Sequence, residues 1–323
     1  MPTSDLVTCV VVSWNGRELL RKCLSIFYQN TTNVKCGVVV VDNASNDGSA
    51  RMLNSDFPSV HVIRNDRNEG FSVANNQGIR YALARGSKYV LLLNNDIEVT
   101  DPNWLQKLIA VMESDSKTGV VGCKLLYPDG RIQHAGGVVA IRVPYNRGEE
   151  QIDRGQYNRV EFMDFVTGAV LVIRSDVIRQ IGLLDEGFSP LYCEDTDWCL
   201  RAKLYGYKVA YTPDPTLIHQ CGSSSSKLGK ERRAFLFKRS FVRFYLLNYQ
   251  VKDILKRIAL YESREIIRCF IVRGRGLPVT LRSDTASRLR VFADAWLPSL
   301  RNLKEITGLR RQRFRFGNRV QLH

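Results

Sequence analysis

The 323-residue sequence predicts an α/β protein: a doubly wound sheet over residues 1–222, followed by a basic, mainly helical extension over 223–323. Two observations predict the sheet. Short continuous apolar runs at 7–13, 37–41 and 89–93 have the character of strands buried on both faces. Between them lie stretches whose apolar residues recur at helical spacing. The third observation concerns charge. Residues 1–222 carry 23 Lys+Arg against 25 Asp+Glu, whereas residues 223–323 carry 24 against 7. The formal net charge of +15 therefore sits in the last third, which predicts a second role there at an anionic partner.

Each element follows from local pattern. After the first strand, Leu19, Leu20, Cys23, Leu24 and Phe27 mark a helix over 17–29. The second run ends in Asp42-Asn43; a short helix over 47–53 and a strand over 60–64 come next. Residues 72–85 read as a helix with Ser72 as cap and Gly86 as stop. The run at 89–93 delivers Asn94-Asn95-Asp96, after which 104–112 is helical and 120–125 strand-like. Such alternation implies a parallel sheet. Beyond residue 126, β segments are expected at 136–141, 165–173, 208–211 and 217–219, and a helix at 196–205. A Ser- and Gly-rich loop at 222–230 leads to amphipathic helices at 232–249, 251–271 and 285–303.

Composition excludes disordered and fibrous classes. No run reaches the ~20 apolar residues that span a bilayer, and the first apolar run is too short for a signal peptide. The eight cysteines form no CxxC pair, so a reduced, cytoplasmic protein is expected.

In a sheet of this kind ligands bind beyond the carboxyl ends of the strands, and the polar clusters lie there: Ser13-Trp14-Asn15, Asp42-Asn43 and Asn94-Asn95-Asp96. A carboxylate such as Asp96 can hold a hard divalent ion whose other ligands are diphosphate oxygens and water. The same triplet is also an ordinary Asx-rich strand end. Asp42 could accept hydrogen bonds from a base or ribose, or simply close a turn. The densest constellation is Glu194-Asp195-Thr196-Asp197-Trp198 at the start of a helix. Three carboxylates so close repel one another unless a cation or the helix N-terminus offsets them, and such groups suit general-base work. Acidic capping of a solvated helix is the plainer reading, but Phe188, Leu191, Tyr192 and Trp198 argue for partial enclosure. His219 could bind a metal or a phosphate; His134 has a weaker claim. Trp104 and Trp296 read as packing residues.

These stretches resemble glycosyltransferase family 2, an inverting family with the GT-A fold, in its rhamnosyltransferase-like branch. The matching pieces are VVVSWN (10–15), VDNASNDG (41–48), NDRNEGFSVANN (65–76), LLLNND (91–96), FVTGAVLVI (165–173), LLDEGFSPLYCEDTDWCLR (183–201) and Ile218-His219. The resemblance implies a Rossmann-like, mixed sheet with a nucleotide-binding half at about 1–125 and an acceptor-binding half at about 126–222. It implies that Ser13, Trp14 and Asn15 line the base and ribose pocket, that Asp42 contacts the nucleotide, and that Gly70, Phe71 and Asn75 border the donor sugar and its phosphates. Asp96 matches the metal-binding carboxylate of a DxD-type motif whose first position is Asn94 here, with Asn95 between them. Asp195 matches the catalytic base and Glu194 its neighbour, while His219 completes the metal or diphosphate site. Asp197 and Trp198 take supporting parts.

The implied activity is metal-dependent transfer of a sugar, rhamnose among the candidates, from a dTDP- or UDP-sugar to a saccharide or lipid-linked acceptor. Mn²⁺ or Mg²⁺ would be the cofactor. In the basic extension, Arg232, Arg233, Lys238, Arg239 and Arg243 interleave with Phe235, Phe237, Phe241, Phe244 and Tyr245. This composition suggests a peripheral position at an anionic membrane on its cytoplasmic face. Two alternatives fit less well. A sugar-nucleotide pyrophosphorylase would present a Gly-rich phosphate loop after the first strand, which Ser13–Arg17 does not. A nucleic-acid-binding protein would leave the acids at 194–197 unexplained, so no nucleic acid is expected.

Overall fold

The computed structural model describes residues 5–220, 229–264 and 293–314. The chain begins β1 (Val7–Ser13), α1 (Arg17–Asn30), β2 (Cys36–Asp42), α2 (Ser49–Asp56), β3 (His61–Arg64), α3 (Phe71–Ala84) and β4 (Tyr89–Asn94). It continues through β5 (Ile97–Glu98), α4 (Trp104–Glu113), β6 (Thr118–Leu126), β7 (Ile132–His134), β8 (Gly137–Val139), β9 (Pro144–Asn146), β10 (Glu161–Phe162) and β11 (Val170–Arg174). Then come α5 (Ser175–Ile181), a 3-10 turn (Glu186–Phe188), α6 (Glu194–Leu204), β12 (Lys208–His219), α7 (Lys230–Asn248), α8 (Val251–Arg257) with a π turn (Ile258–Glu262), and α9 (Leu303–Phe314). Residues 293–301 are also helical.

The main path of the large sheet runs β10-β12-β6-β11-β4-β1-β2-β3. It is mixed rather than parallel throughout. The strands β4, β1, β2 and β3 form one parallel block and β12 pairs with β6 in parallel, but β11 lies antiparallel between β4 and β6. Alternating side chains supply a core on each face. Val10, Val39, Val90, Leu92 and Leu171 point to one side with Trp198 and Phe244; Val11, Val40, Leu91 and Leu93 point to the other with Leu24 and Trp104.

Several expectations shift. Gly70, with φ +84°, precedes the first residue of α3, and the supposed cap Ser72 is buried inside the helix. The strand expected over 165–173 begins only at Val170. The two pieces expected at 208–211 and 217–219 are one strand, β12, whose register against β6 slips between Thr212 and Thr216. Pro213 and Pro215 fall in this interval and cannot donate to a ladder, which is why it looked like a break.

The helical extension is built into the molecule. Leu236, Phe241, Val242, Phe244, Tyr245 and Leu247 of α7 are buried in the core that also holds Trp198. Of the aromatics expected to face a membrane, Phe241, Phe244 and Tyr245 therefore face inward, and Phe237 is the exposed one. The loop expected at 222–230 and the outer parts of the helices expected at 251–271 and 285–303 lie largely outside the described residues. Among the described residues no helix is long and apolar enough to cross a membrane.

Candidate active site

The strand ends assemble a row of polar groups. Parallel registry sets Ser13 beside Asp42, Val12 beside Asn94, and Asp42 beside Arg64. Ser13 is buried and its hydroxyl accepts from Asn95 Nδ2 at 3.1 Å. Asp42 is fully buried; Oδ1 accepts from Ser45 N–H at 2.9 Å, and Oδ2 lies 3.6 Å from Arg64 Nε. Asn15 adopts a left-handed φ of 49°, and its side-chain oxygen accepts from Asn46 N–H at 2.9 Å. It thereby ties the loop after β1 to the loop after β2, and the half-buried Trp14 is carried on that loop.

Gly70 opens the turn into α3. A Cβ there would lie 2.7 Å from Pro190 Cα, so only glycine permits the contact that lets Phe71 N–H donate to Pro190 O at 2.8 Å. Asn75 is buried and its amide donates to Phe71 O at 2.9 Å.

The structure brings Asp96 and His219 together, with Oδ1 and Nε2 3.0 Å apart and Asn94 Nδ2 3.3 Å from the same nitrogen. All three stand at one edge because His219 ends β12, which pairs with β5 immediately after Asp96. The imidazole Nδ1 lies 2.8 Å from Oε1 of Gln133 on β7. Gln133 escaped the sequence reading, since a neutral carboxamide on a short strand carries no motif. With Nδ1–H directed at Gln133, Nε2 turns a lone pair toward a carboxylate oxygen, and such a pair calls for a proton or a cation between them. Among the described residues no group of three or more His, Cys, Asp and Glu could hold a metal alone. This donor set fits a hard ion that takes its remaining ligands from diphosphate and water. His134 stands apart: it is buried beside Asn146, and burial lowers its pKa to about 4.

The acidic turn stands against β11. Tyr192 and Cys193 both hold positive φ, 84° and 70°, backbone that non-glycine residues rarely adopt. They precede Glu194 and Asp195 at the N-terminus of α6. Asp195, half-buried, accepts from Gly168 N–H at 2.8 Å through Oδ2 and from Thr196 N–H at 2.6 Å through Oδ1. A Cβ on Gly168 would sit 3.3 Å from Asp195 Cβ and 3.4 Å from Phe71 Cζ, so this glycine lets the carboxylate and the Phe71 ring close on the backbone. Burial raises the pKa of Asp195 despite these hydrogen bonds. The next residue on the same loop, Ala169, accepts from Asn94 N–H at 2.9 Å. Consecutive residues 168 and 169 thus anchor the acidic turn and the end of β4.

Glu194 is more deeply buried, and its Oε2 has no hydrogen-bond partner among the described residues. Burial first, then repulsion from Asp195, raises its pKa well above the usual range. The ionised form is thus disfavoured in the folded state, and stability is lost as pH rises through the raised value. Replacing Glu194 with Gln should raise the melting temperature by roughly 1–2 °C near neutral pH, corresponding to about 1 kcal/mol for a chain of this length. In thermal melts across pH the gain should vanish toward about pH 4, where the unfolded carboxyl protonates; a pH-independent gain would contradict this origin.

Asp197 has a different role from its neighbours. It is fully buried and bonded to Arg201 Nε at 3.0 Å, Asn248 Nδ2 at 2.8 Å and Arg313 Nη2 at 3.2 Å. Burial pushes its pKa up, but the guanidinium groups of Arg313 and Arg201 outweigh that and hold it below the usual carboxylate range. Arg243, counted in the sequence among membrane-facing cations, is instead bound to Asp185 at 2.9 Å and Glu305 at 2.7 Å.

A GT-A sheet with carboxylates at its strand ends defines the class. A mannosyltransferase from Pyrobaculum calidifontis, solved with GDP-Man and Mn²⁺, shares the fold with TM-score 0.57 and 16% identity, covering 97% of this chain and 86% of that chain. The family profile of glycosyl transferase family 2 matches residues 8–170, and the chain belongs to that family. The dTDP-rhamnosyl transferase RfbF of Shigella flexneri is 30% identical over 69% of this chain and 71% of its own. An N-acetylglucosaminyl-diphospho-decaprenol L-rhamnosyltransferase of Mycobacterium tuberculosis is 22% identical over 69% of this chain and 79% of its own. The chain spans only 27% and 17% of the length of two further, longer relatives.

Proposed function

We propose that this chain transfers a sugar, with inversion, from a nucleotide diphosphate donor to a saccharide or lipid-linked acceptor in glycan assembly. The observation that carries this reading is the pairing across Gly168 and Ala169. One residue holds Asp195, the other holds the end of β4 that leads to Asp96. In this reading residues 1–125 hold the donor, with Ser13, Trp14, Asn15 and Asp42 at the base and ribose and Gly70, Phe71 and Asn75 toward the sugar. The acceptor side is residues 126–222, and the described helices at 229–264 and 293–314 brace the two halves.

Asp195 takes the proton of the attacking hydroxyl. Its backbone donors fix its direction, and its raised pKa brings it nearer to the proton it must accept. Glu194 sets the local field. Asp96, His219 and Asn94 would hold a divalent ion, Mn²⁺ or Mg²⁺, which offsets the charge growing on the departing diphosphate. A dTDP-sugar, and rhamnose as the sugar, are favoured by the likeness to RfbF. The lipid-linked acceptor is favoured by the likeness to the mycobacterial enzyme.

Replacing Asp96 with Ala should weaken metal-dependent binding of the nucleotide sugar by at least about tenfold, since each lost ligand or supporting contact at a metal site costs on that scale. The check is thermal stabilisation by dTDP- and UDP-sugars with and without Mn²⁺, because stabilisation tracks affinity. Equal metal-dependent stabilisation of the variant and the parent would reject the assignment.

A further inference from the structure

A second chamber, of about 480 Å³, lies between the β8–β9 turn, α7 and α8 with its π turn. Among the described residues, Arg142, Lys238, Arg257 and Arg264 bring four cations to its wall, and Glu262 is the one carboxylate there. That carboxylate is already engaged by Arg257 Nη2 at 3.0 Å and Lys238 Nζ at 3.3 Å. Arg142 and Arg264 are exposed, and neither makes a hydrogen bond or ion pair among the described residues. Arg257 is only 7% exposed; its guanidinium lies over the rings of Phe241 at 4.5 Å and Tyr245 at 5.0 Å, while Nε and Nη1 lack hydrogen-bond partners among the described residues. Buried guanidinium nitrogens without acceptors are costly unless something fills the need. Planar forks with excess positive charge match a phosphate group.

Two neighbours indicate what bears that phosphate. Phe237 on the chamber wall meets the ring of Tyr192 edge-on at 5.7 Å, two residues before Glu194, so the chamber adjoins the acidic turn. The helix that carries Arg257 also exposes Val251, Leu255 and Ile258, at 62%, 62% and 38%. Their i, i+4, i+7 spacing makes one apolar row, and the exposed Lys252 and Lys256 flank it. Apolar row, flanking cations and a cationic chamber together suit a phosphorylated amphiphile at a bilayer surface.

We propose that this chamber binds the phosphate of a phosphorylated lipid, with the apolar row of α8 lying among the acyl chains beside it. The identification of that lipid as the carrier of the acceptor rests on the reading of Glu194-Asp195 as the acceptor side.

The test is co-sedimentation of the full chain with phosphatidylcholine vesicles containing phosphatidic acid. Charge-matched vesicles containing oleate, which lacks phosphate, provide the comparison. Retention on phosphatidic acid, little on oleate, and a roughly thirtyfold loss in the Arg142→Glu, Arg264→Glu double variant are expected from two surface cations. Equal retention on both vesicle types, or undiminished retention of the double variant, overturns the site. Variant-sensitive stabilisation by inorganic pyrophosphate without vesicle retention also overturns the lipid assignment, pointing to a free phosphate. Stabilisation by a nucleotide sugar with Mn²⁺ is measured in the same batches. If it is absent while vesicles are still bound, the transferase reading has failed and the chamber stands.

Discussion

Asp195→Asn should lower kcat by about 10²–10⁴-fold, the range over which a positioned general base contributes, while nucleotide-sugar affinity stays near that of the parent. The amide preserves the shape and can still accept from Gly168 N–H, which holds the carboxylate at 2.8 Å. It cannot take a proton. Burial raises the pKa of Asp195, so the base is lost as pH falls through a value above that of an ordinary Asp. The acid limb of kcat/KM should therefore lie at higher pH than an exposed Asp would give, and it should be absent from the residual rate of the variant. Turnover within a few-fold of the parent would remove Asp195 from the proton transfer. A parallel loss of nucleotide-sugar binding would mean that the substitution had damaged the donor pocket instead.

Arg313→Ala should cost about 3 kcal/mol, or roughly 4–5 °C in Tm for a chain of this length, because it leaves the fully buried Asp197 short of a partner. The figure is taken at the low end of such losses because Arg201 and Asn248 still face the carboxylate. The effect should be pH-dependent, and its sign follows from the pair. Asp197 ionises more readily in the folded protein than in the unfolded chain. It therefore contributes stability above the unfolded carboxylate pKa, and that contribution is lost as pH falls through the depressed folded value. Without Arg313 the folded value rises and acid unfolding should begin at higher pH. Melts of the two proteins from neutral to acid pH measure both effects; coincident curves would make the contact incidental. Asp197 lies in the first turn of α6 with Asp195, so kcat should fall with stability. Arg313→Lys, which keeps the charge but not the fork, should recover part of each.

How far the sequence carried can be seen strand by strand. β1, β2 and β4 were legible because a strand buried on both faces is apolar without interruption. The direction of β11 was not, since FVTGAVLVI has the same composition whichever way it runs, and only its partners make it antiparallel. At the site, Asp96, Asp195 and His219 carried recognisable chemistry in a recognisable order, and the fold brings Asp96 to His219. Gln133 carried none; its meaning comes from a contact 86 residues away. Asp197 looked like a lesser member of the acidic group because its partners, Asn248 and Arg313, lie 51 and 116 residues along the chain. The excess of basic residues has two causes. Arg243, Arg257 and Arg313 are buried and belong to the interior, while Lys252, Lys256 and Arg264 remain on the surface.

The attachment of Asp195 and of the end of β4 to adjoining residues limits how such an enzyme can diverge. Neighbouring Cα atoms in a chain are 3.8 Å apart, so the spacing between these two anchors is a property of the backbone, not of any side chain. Substitutions can change what each anchor holds, but a single residue inserted between 168 and 169 would put both out of step together. Under the proposed reading, the walls that select an acceptor can be rebuilt by substitution around two anchors whose separation the backbone holds constant.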